Sequence, residues 1–331
     1  MSSIHDLILR DGRQLARNLV GSSERRFVDV SAAAIAEKSE RISRTHSALC
    51  WASFPRRQIA NGLRWVSHGP RFSLIIEPGI QIMDGVGQPD GVPFGSRIRL
   101  IMLYVQTSAA RSGIAEVPLC PTLNSCMQEM GLAVGGHSYD LVREQIRRFL
   151  ACRMTLHDNI GTMSNGSRSL LIKDFNSASS PSPGQATVVL GKEYAAALQA
   201  NSVAVWQPAL KLLANQSLSI DAYLWLAYLL PRLQRPTAAS WATLHRQFGS
   251  SFKNLFQFKP RFSSAVKMAI AVYPNANVEF DGPEGLLLHP SNPSVSERKG
   301  ERRGRGLRSS PTFGLRERGS DGTGVGMFRL P

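Results

Sequence analysis

Ser219-Ile220-Asp221-Ala222-Tyr223-Leu224-Trp225-Leu226-Ala227-Tyr228-Leu229-Leu230-Pro231 is the most apolar run in the chain, and its reading decides the fold. A membrane span needs about 20 consecutive apolar residues. This run begins only after Asp221 and is stopped by Pro231 and Arg232, so it reads as a buried helix. Downstream, Trp241 to Gly249 and Lys259 to Pro274 carry two more short helical patterns separated by turn-sized gaps. Three helices in close order predict a helix-turn-helix unit.

A length of 331 residues predicts two domains plus tails, since domains run to about 100–200 residues. The formal charge of +15 and a pI near 10.3 point to an anionic partner. Nucleic acid fits better than lipid, because no spanning helix or amphipathic anchor accompanies the charge. The four cysteines, Cys50, Cys120, Cys126 and Cys152, form no Cys-x-x-Cys pair and are expected as reduced thiols of a cytoplasmic protein. Met1 to Asp11 has acidic residues among its apolar ones and no uninterrupted apolar stretch, which excludes a secretion signal.

Residues 1–70 read as a partly ordered arm, with a helix at Ala32–Arg44 capped by Ser31 and aromatic residues (Trp51, Phe54, Trp65) among Arg56, Arg57 and Arg64. Residues 71–176 read as a first winged-helix domain. It starts with a strand at Arg71–Ile76, and a helix follows over Phe94–Thr107 with Arg97 and Arg99 outside its apolar face. A second helix, Thr122–Met130, has Thr122 as N-cap and Gly131 just past its end. A third, Tyr139–Met154, is capped by Ser138, with Val142, Ile146, Phe149 and Leu150 inside and Arg143, Arg147 and Arg148 off that stripe. Short strands at Met154–Leu156 and Ser169–Ile172 flank a polar loop ending in Arg168, which reads as a wing.

Residues 177–184 are a linker by composition. In residues 185–293 the order recurs: a strand at Thr187–Leu190, a helix at Lys192–Ala200, the apolar helix, helices at Trp241–Phe248 and Arg261–Tyr273, and a hairpin over Asn277–Leu288. Lys259, Arg261 and Lys267 lie off the apolar stripe of the last helix. The fold class is therefore α+β and helix-rich, with two tandem winged-helix domains, although no sequence repeat aligns the halves. Residues 294–331 form a basic, disordered tail; from Ser296 onward it holds nine basic residues against four acidic.

Catalytic signatures are absent. No G-x-x-x-x-G-K-[ST] run cradles a nucleotide, and no two of the seven histidines fall two to five residues apart, the spacing of a short-motif metal site. No enzymatic activity, cofactor or metal is expected. Asp221 reads as a carboxylate in a helix's first turn, favoured there by the free amides.

The stretches Phe94-Gly95-Ser96-Arg97-Ile98-Arg99-Leu100, Met130-Gly131-Leu132 and Glu144-Gln145-Ile146-Arg147-Arg148 resemble the plasmid-encoded RepA-type replication initiators of Gram-negative bacteria. So do Leu218 to Leu226, Ser240-Trp241, Phe248-Gly249, Phe258-Lys259, Phe262, Tyr273-Pro274, Gly285 to Leu288 and Pro290-Ser291. The resemblance implies a protein that binds repeated sites (iterons) in the double-stranded DNA of a plasmid origin, opens the duplex and recruits host replication proteins. It further implies a dimer, in equilibrium with monomer, that represses its own gene and thereby controls copy number. The expected DNA-binding residues are Arg143, Arg147, Arg148, Arg168, Lys259, Arg261 and Lys267. A transcriptional repressor or partition-type DNA-binding protein is the alternative.

Overall fold

The computed structural model describes residues 4–119, 122–159, 168–170, 172–176, 187–280 and 284–295; the expected linker and the tail from residue 296 lie outside them. Helices α1 (Ile4–Leu19) and α2 (Arg25–Ala36) open the chain. They pack through Ile8, Ala16 and Val28 and are tied by Asp29, which takes hydrogen bonds from Arg13 and Arg17. The expected helix at Ala32–Arg44 is thus corrected: α2 ends at Ala36, Ser31 is buried within it, and Ile42–His46 is strand β1. The first seventy residues are not an arm, because β1 pairs along its whole length with β11 (Ser202–Trp206), and Phe27, Leu49 and Phe54 enter the main core. Of the aromatic residues interleaved with Arg56, Arg57 and Arg64, Phe54 is buried in the core and Trp51 and Trp65 are partly buried against it.

Strands β2 (Trp65–His68) and β3 (Phe72–Glu77) join β7 (Arg153–Asp158) and β8 (Arg168–Leu170) in an antiparallel sheet ordered β2-β3-β7-β8. The separate hairpin of β4 (Ile80–Met83) and β5 (Val86–Pro89) turns at Asp84-Gly85, both left-handed. Next come α3 (Gly95–Ser112), β6 (Glu116–Pro118), α4 (Leu123–Glu129) and α5 (Gly136–Ala151). Thr122 caps α4 with the full reciprocal box, and Gly131, at φ 69°, ends that turn in a conformation that favours glycine. α5 starts three residues before its expected first residue, capped by Gly135, so Ser138 is internal.

The strands expected around the polar loop do pair antiparallel, as β7 with β8 (Thr155 opposite Leu170, Leu156 opposite Ser169), but they join a larger sheet. β7 and β8 belong to the β2-β3 sheet, whereas β9 (Ile172–Asn176) and β10 (Thr187–Leu190) pair with each other and then with β6, in the order β6-β10-β9. Residues 177–184 therefore connect two neighbouring strands of one sheet, and Thr187–Leu190 closes the first unit instead of opening the second. Composition identified the small, polar segment but carries no information about which strands it joins.

After α6 (Lys192–Asn201), β11 and α7 (Gln207–Leu212), α8 (Ser217–Leu229) runs through the interior, followed by a 3-10 turn at Leu230–Arg232. All nine residues from Ser219 to Ala227 are buried, which explains the absence of a polar stripe. Then come β12 (Thr237–Ser240), α9 (Trp241–Phe248), α10 (Leu255–Ala271), β13 (Val278–Glu279) and β14 (Gly285–Leu288), with strands ordered β12-β14-β13. The order α3, β6, α4, α5, then β9 and β10 after the intervening β7 and β8, parallels α8, β12, α9, α10, β13 and β14, and the strand order is alike in the sheets β6-β10-β9 and β12-β14-β13.

One hydrophobic cluster extends from Phe27 to Leu288 through both units. Its polar centre is Arg99 on α3, 3 % exposed, against Asp221 on α8, 5 % exposed. Arg99 Nε and Nη2 each donate to one carboxylate oxygen at 2.7 Å, and the remaining guanidinium hydrogens reach the carbonyls of Phe54, Pro55 and Gly95. Arg99 was expected outside the apolar face and Asp221 in a first turn; both are interior because each supplies what the other lacks.

Candidate nucleic-acid interface

Two of the three α5 arginines build scaffold. Arg148, its side chain 7 % exposed, donates to Glu144 at 2.6 Å and lies with its guanidinium 5.5 Å from the centre of the Phe94 ring. It passes so close to Gly91 that any side chain there would collide with it. Arg147 forks between Glu144 and the buried Asp90, its Nη2 3.1 Å from Asp90 Oδ1. The hydrogen bond to Glu144 raises the Arg147 pKa, with Asp90 adding to it. Arg148 is buried, whereas Arg147, though ion-paired, keeps its side chain 37 % exposed. Helical periodicity put them outside the apolar stripe, but Asp90, which arrives from the end of β5, covers that side. Arg143 remains exposed, paired only at 3.4 Å with the exposed Asp140. Arg168 opens β8 opposite His157, and its side chain lies outside those described.

Arg147→Ala is accordingly expected to cost stability, about 1–3 kcal/mol, by leaving the buried Asp90 carboxylate short of partners. Chemical denaturation of the variant checks this; a wild-type midpoint with weakened DNA binding would place Arg147 at the interface. Glu144 is held below its ordinary 4.5, chiefly by the hydrogen bond from Arg147. Its contribution is fully present above that pH and is lost as pH falls through the lowered value.

The corresponding helix of the second unit is α10. Asn254 caps it, its Oδ1 accepting from the Gln257 amide at 3.0 Å, so the helix begins six residues before Arg261 and continues past Pro260. The proline ring sits on the exposed face, where the freed Phe256 carbonyl can bond to water. Phe258, Phe262, Ala265, Val266 and Ala269 face inward. Phe262 stacks between Phe258 and Phe248, at 5.0 and 4.9 Å between ring centroids, with Trp225 of α8 behind.

The C-terminal turns of α10 are covered by the N-terminal helix pair. Lys267 Nζ binds Glu24 at 2.9 Å, Arg26 donates to Ser264 at 2.7 Å, and the buried His5 Nε2 donates to the Ala271 carbonyl at 3.0 Å. Lys267 is thus ion-paired at the surface with a residue 243 positions away, a contact that sequence could not supply. The first turns stay open, with Lys253, Phe256, Gln257, Pro260 and Arg261 exposed. Lys259 lies half-buried with its ammonium 5.8 Å from the Trp241 ring centre. Burial pushes Cys50 and Cys152 up to about 12. Cys126, expected as a reduced thiol, is disulfide-bonded, a pairing that no short cysteine spacing announced. Among the described residues no helix is long and apolar enough to cross a membrane.

A search of curated proteins finds no match. Among solved structures, crystal structures of domains 2 and 3 of RctB match this chain. A selenomethionine form matches with a TM-score of 0.47 at 11% identity, covering 74% of this chain and 95% of that one. A second has a TM-score of 0.43 at 10% identity, with 73% and 94% covered. Residues 92–243 match the family model described as plasmid encoded RepA protein, which spans α3 to α8 and reaches into α9. Over residues 92–243, then, this chain is similar to the plasmid-encoded RepA protein.

Proposed function

We propose that the chain initiates plasmid replication: it binds iterons in a plasmid origin through two winged-helix units, opens the duplex and brings in host replication proteins. A dimeric form represses its own gene. The observation that carries this reading is the RepA match, which covers the first unit and enters the second. The repeated element order, the shared strand order and the charge of +15 support it. Each unit has a helix in the reader's place, and the side chains available to DNA include Arg143 on α5 and Arg261, with Lys259, on α10.

A plasmid carrying the cognate origin is expected to be maintained only when this gene is supplied in trans; maintenance without it would refute initiation. In gel shifts on the origin repeats, Arg261→Ala is expected to weaken binding. Loss of about 1–3 kcal/mol with relaxed specificity would identify a base contact, and a uniform loss across sequences a phosphate contact. Unchanged affinity would remove α10 from the interface.

A further inference from the structure

Phe256 is 86 % exposed, more so than any other large apolar side chain among the described residues. Its place on α10 keeps it there. It points away from the Phe258–Phe262 row, and the neighbouring core is already filled by stacked rings. The Asn254 cap fixes the turn it projects from, so the ring is presented on a rigid helix.

Its surroundings identify the chemistry of what it meets. Between Asp221 and Glu279 the sequence has no acidic residue and seven basic ones, and Asp221 is itself neutralised by Arg99. Lys253, just before the helix, and Arg261, five residues after Phe256 on it, are both exposed. Arg56 stands over the Phe252 ring at 4.3 Å, with its Nη1 buried and without a hydrogen-bond partner. Burial lowers the Arg56 pKa; Asp221 opposes this, and the charges of Arg99, Arg57 and Arg261 lower it further. An apolar protein partner is poorly matched to a ring set among uncompensated cations. A nucleobase, whose face is aromatic and whose two flanking phosphates are anionic, matches both features.

We propose that Phe256 stacks on a base of the DNA while Lys253 and Arg261 hold the adjacent phosphates. This rests on the DNA-binding reading above and adds the residue that engages a base displaced from its neighbours. A base partly unstacked within a duplex and a base in a single strand offer the same face, and the test separates them.

The full chain is titrated against a 2-aminopurine-labelled origin oligonucleotide, once as single strand and once as duplex, at several salt concentrations. Phe256→Ala is expected to lower affinity about tenfold or more for at least one form. The salt slope should stay unchanged, because the phosphate contacts remain. Phe256→Trp is expected to keep wild-type affinity, and Phe256→Leu to fall with the alanine variant, since an apolar but non-aromatic side chain does not stack. A loss confined to the duplex places the ring at a base step, and a loss confined to the single strand places it on an unpaired base; either supports the proposal. Wild-type affinity of Phe256→Ala for both forms overturns it while leaving DNA binding intact. Absence of salt-dependent binding by the wild-type chain overturns the DNA-binding reading and the stacking together. All variants should melt like wild type, because the side chain contributes nothing to the core.

Discussion

Replacing Asp221 with alanine is expected to lower the unfolding free energy by about 3–5 kcal/mol, because it strands the Arg99 guanidinium in the interior with no anion. The pair joins α3 of the first unit to α8 of the second, and through the Phe54 and Pro55 carbonyls it also holds the segment before β2. The loss should therefore appear as one cooperative transition shifted as a whole. A double change, Arg99→Met with Asp221→Leu, is expected to recover most of the stability, since two apolar side chains of similar volume need no ion pair. Urea denaturation followed by far-ultraviolet circular dichroism measures both. An Asp221→Ala midpoint equal to that of wild type would show that the pair does not hold the units together.

Phe262→Ala is the second large effect, also about 3–5 kcal/mol. The ring is fully buried between Phe258 and Phe248 and touches Trp225 of α8, so its removal opens a void bounded by rings that are themselves held in place. Because this stack sets the position of α10 on α8, DNA affinity should fall in parallel with stability even though Phe262 cannot reach DNA. Phe262→Leu, which keeps much of the volume, is expected to restore most of both. A stable Phe262→Ala protein with undiminished affinity would mean that α10 is positioned by other contacts.

Elements fixed by local chemistry were legible in the sequence. The apolar run predicts α8 because no face of it is left polar, and Thr122 with Gly131 brackets α4 through its own cap and left-handed end. The misreadings share a cause: they depend on partners far away in sequence. α2 has no side-chain cap, and its boundaries follow from packing on α10 and α1; β1 is a strand because β11 lies beside it. Charged residues off an apolar stripe are assigned to solvent by periodicity, yet Arg99 meets Asp221, Arg147 meets Asp90 and Lys267 meets Glu24. Of the basic residues expected as DNA contacts, Arg143 and Arg261 are exposed and Lys259 is half-buried. Phe256 escaped notice because a phenylalanine next to a buried phenylalanine is ordinarily read as core; only the helix register shows that it faces outward.

The docking of the N-terminal helices on α10 also bears on how the chain is made. His5 and its acceptor at Ala271 are 266 residues apart. At a synthesis rate of roughly 5–20 residues per second, about 15–50 s separate their emergence from the ribosome. Throughout that interval the faces of α1 and α2 that later cover α10 have nothing to rest on, and β1 has no strand to pair with until β11 is complete. The segment translated first is thus among the last to find its place, so early synthesis is the period in which this protein is most exposed to chaperones, proteases and wrong partners.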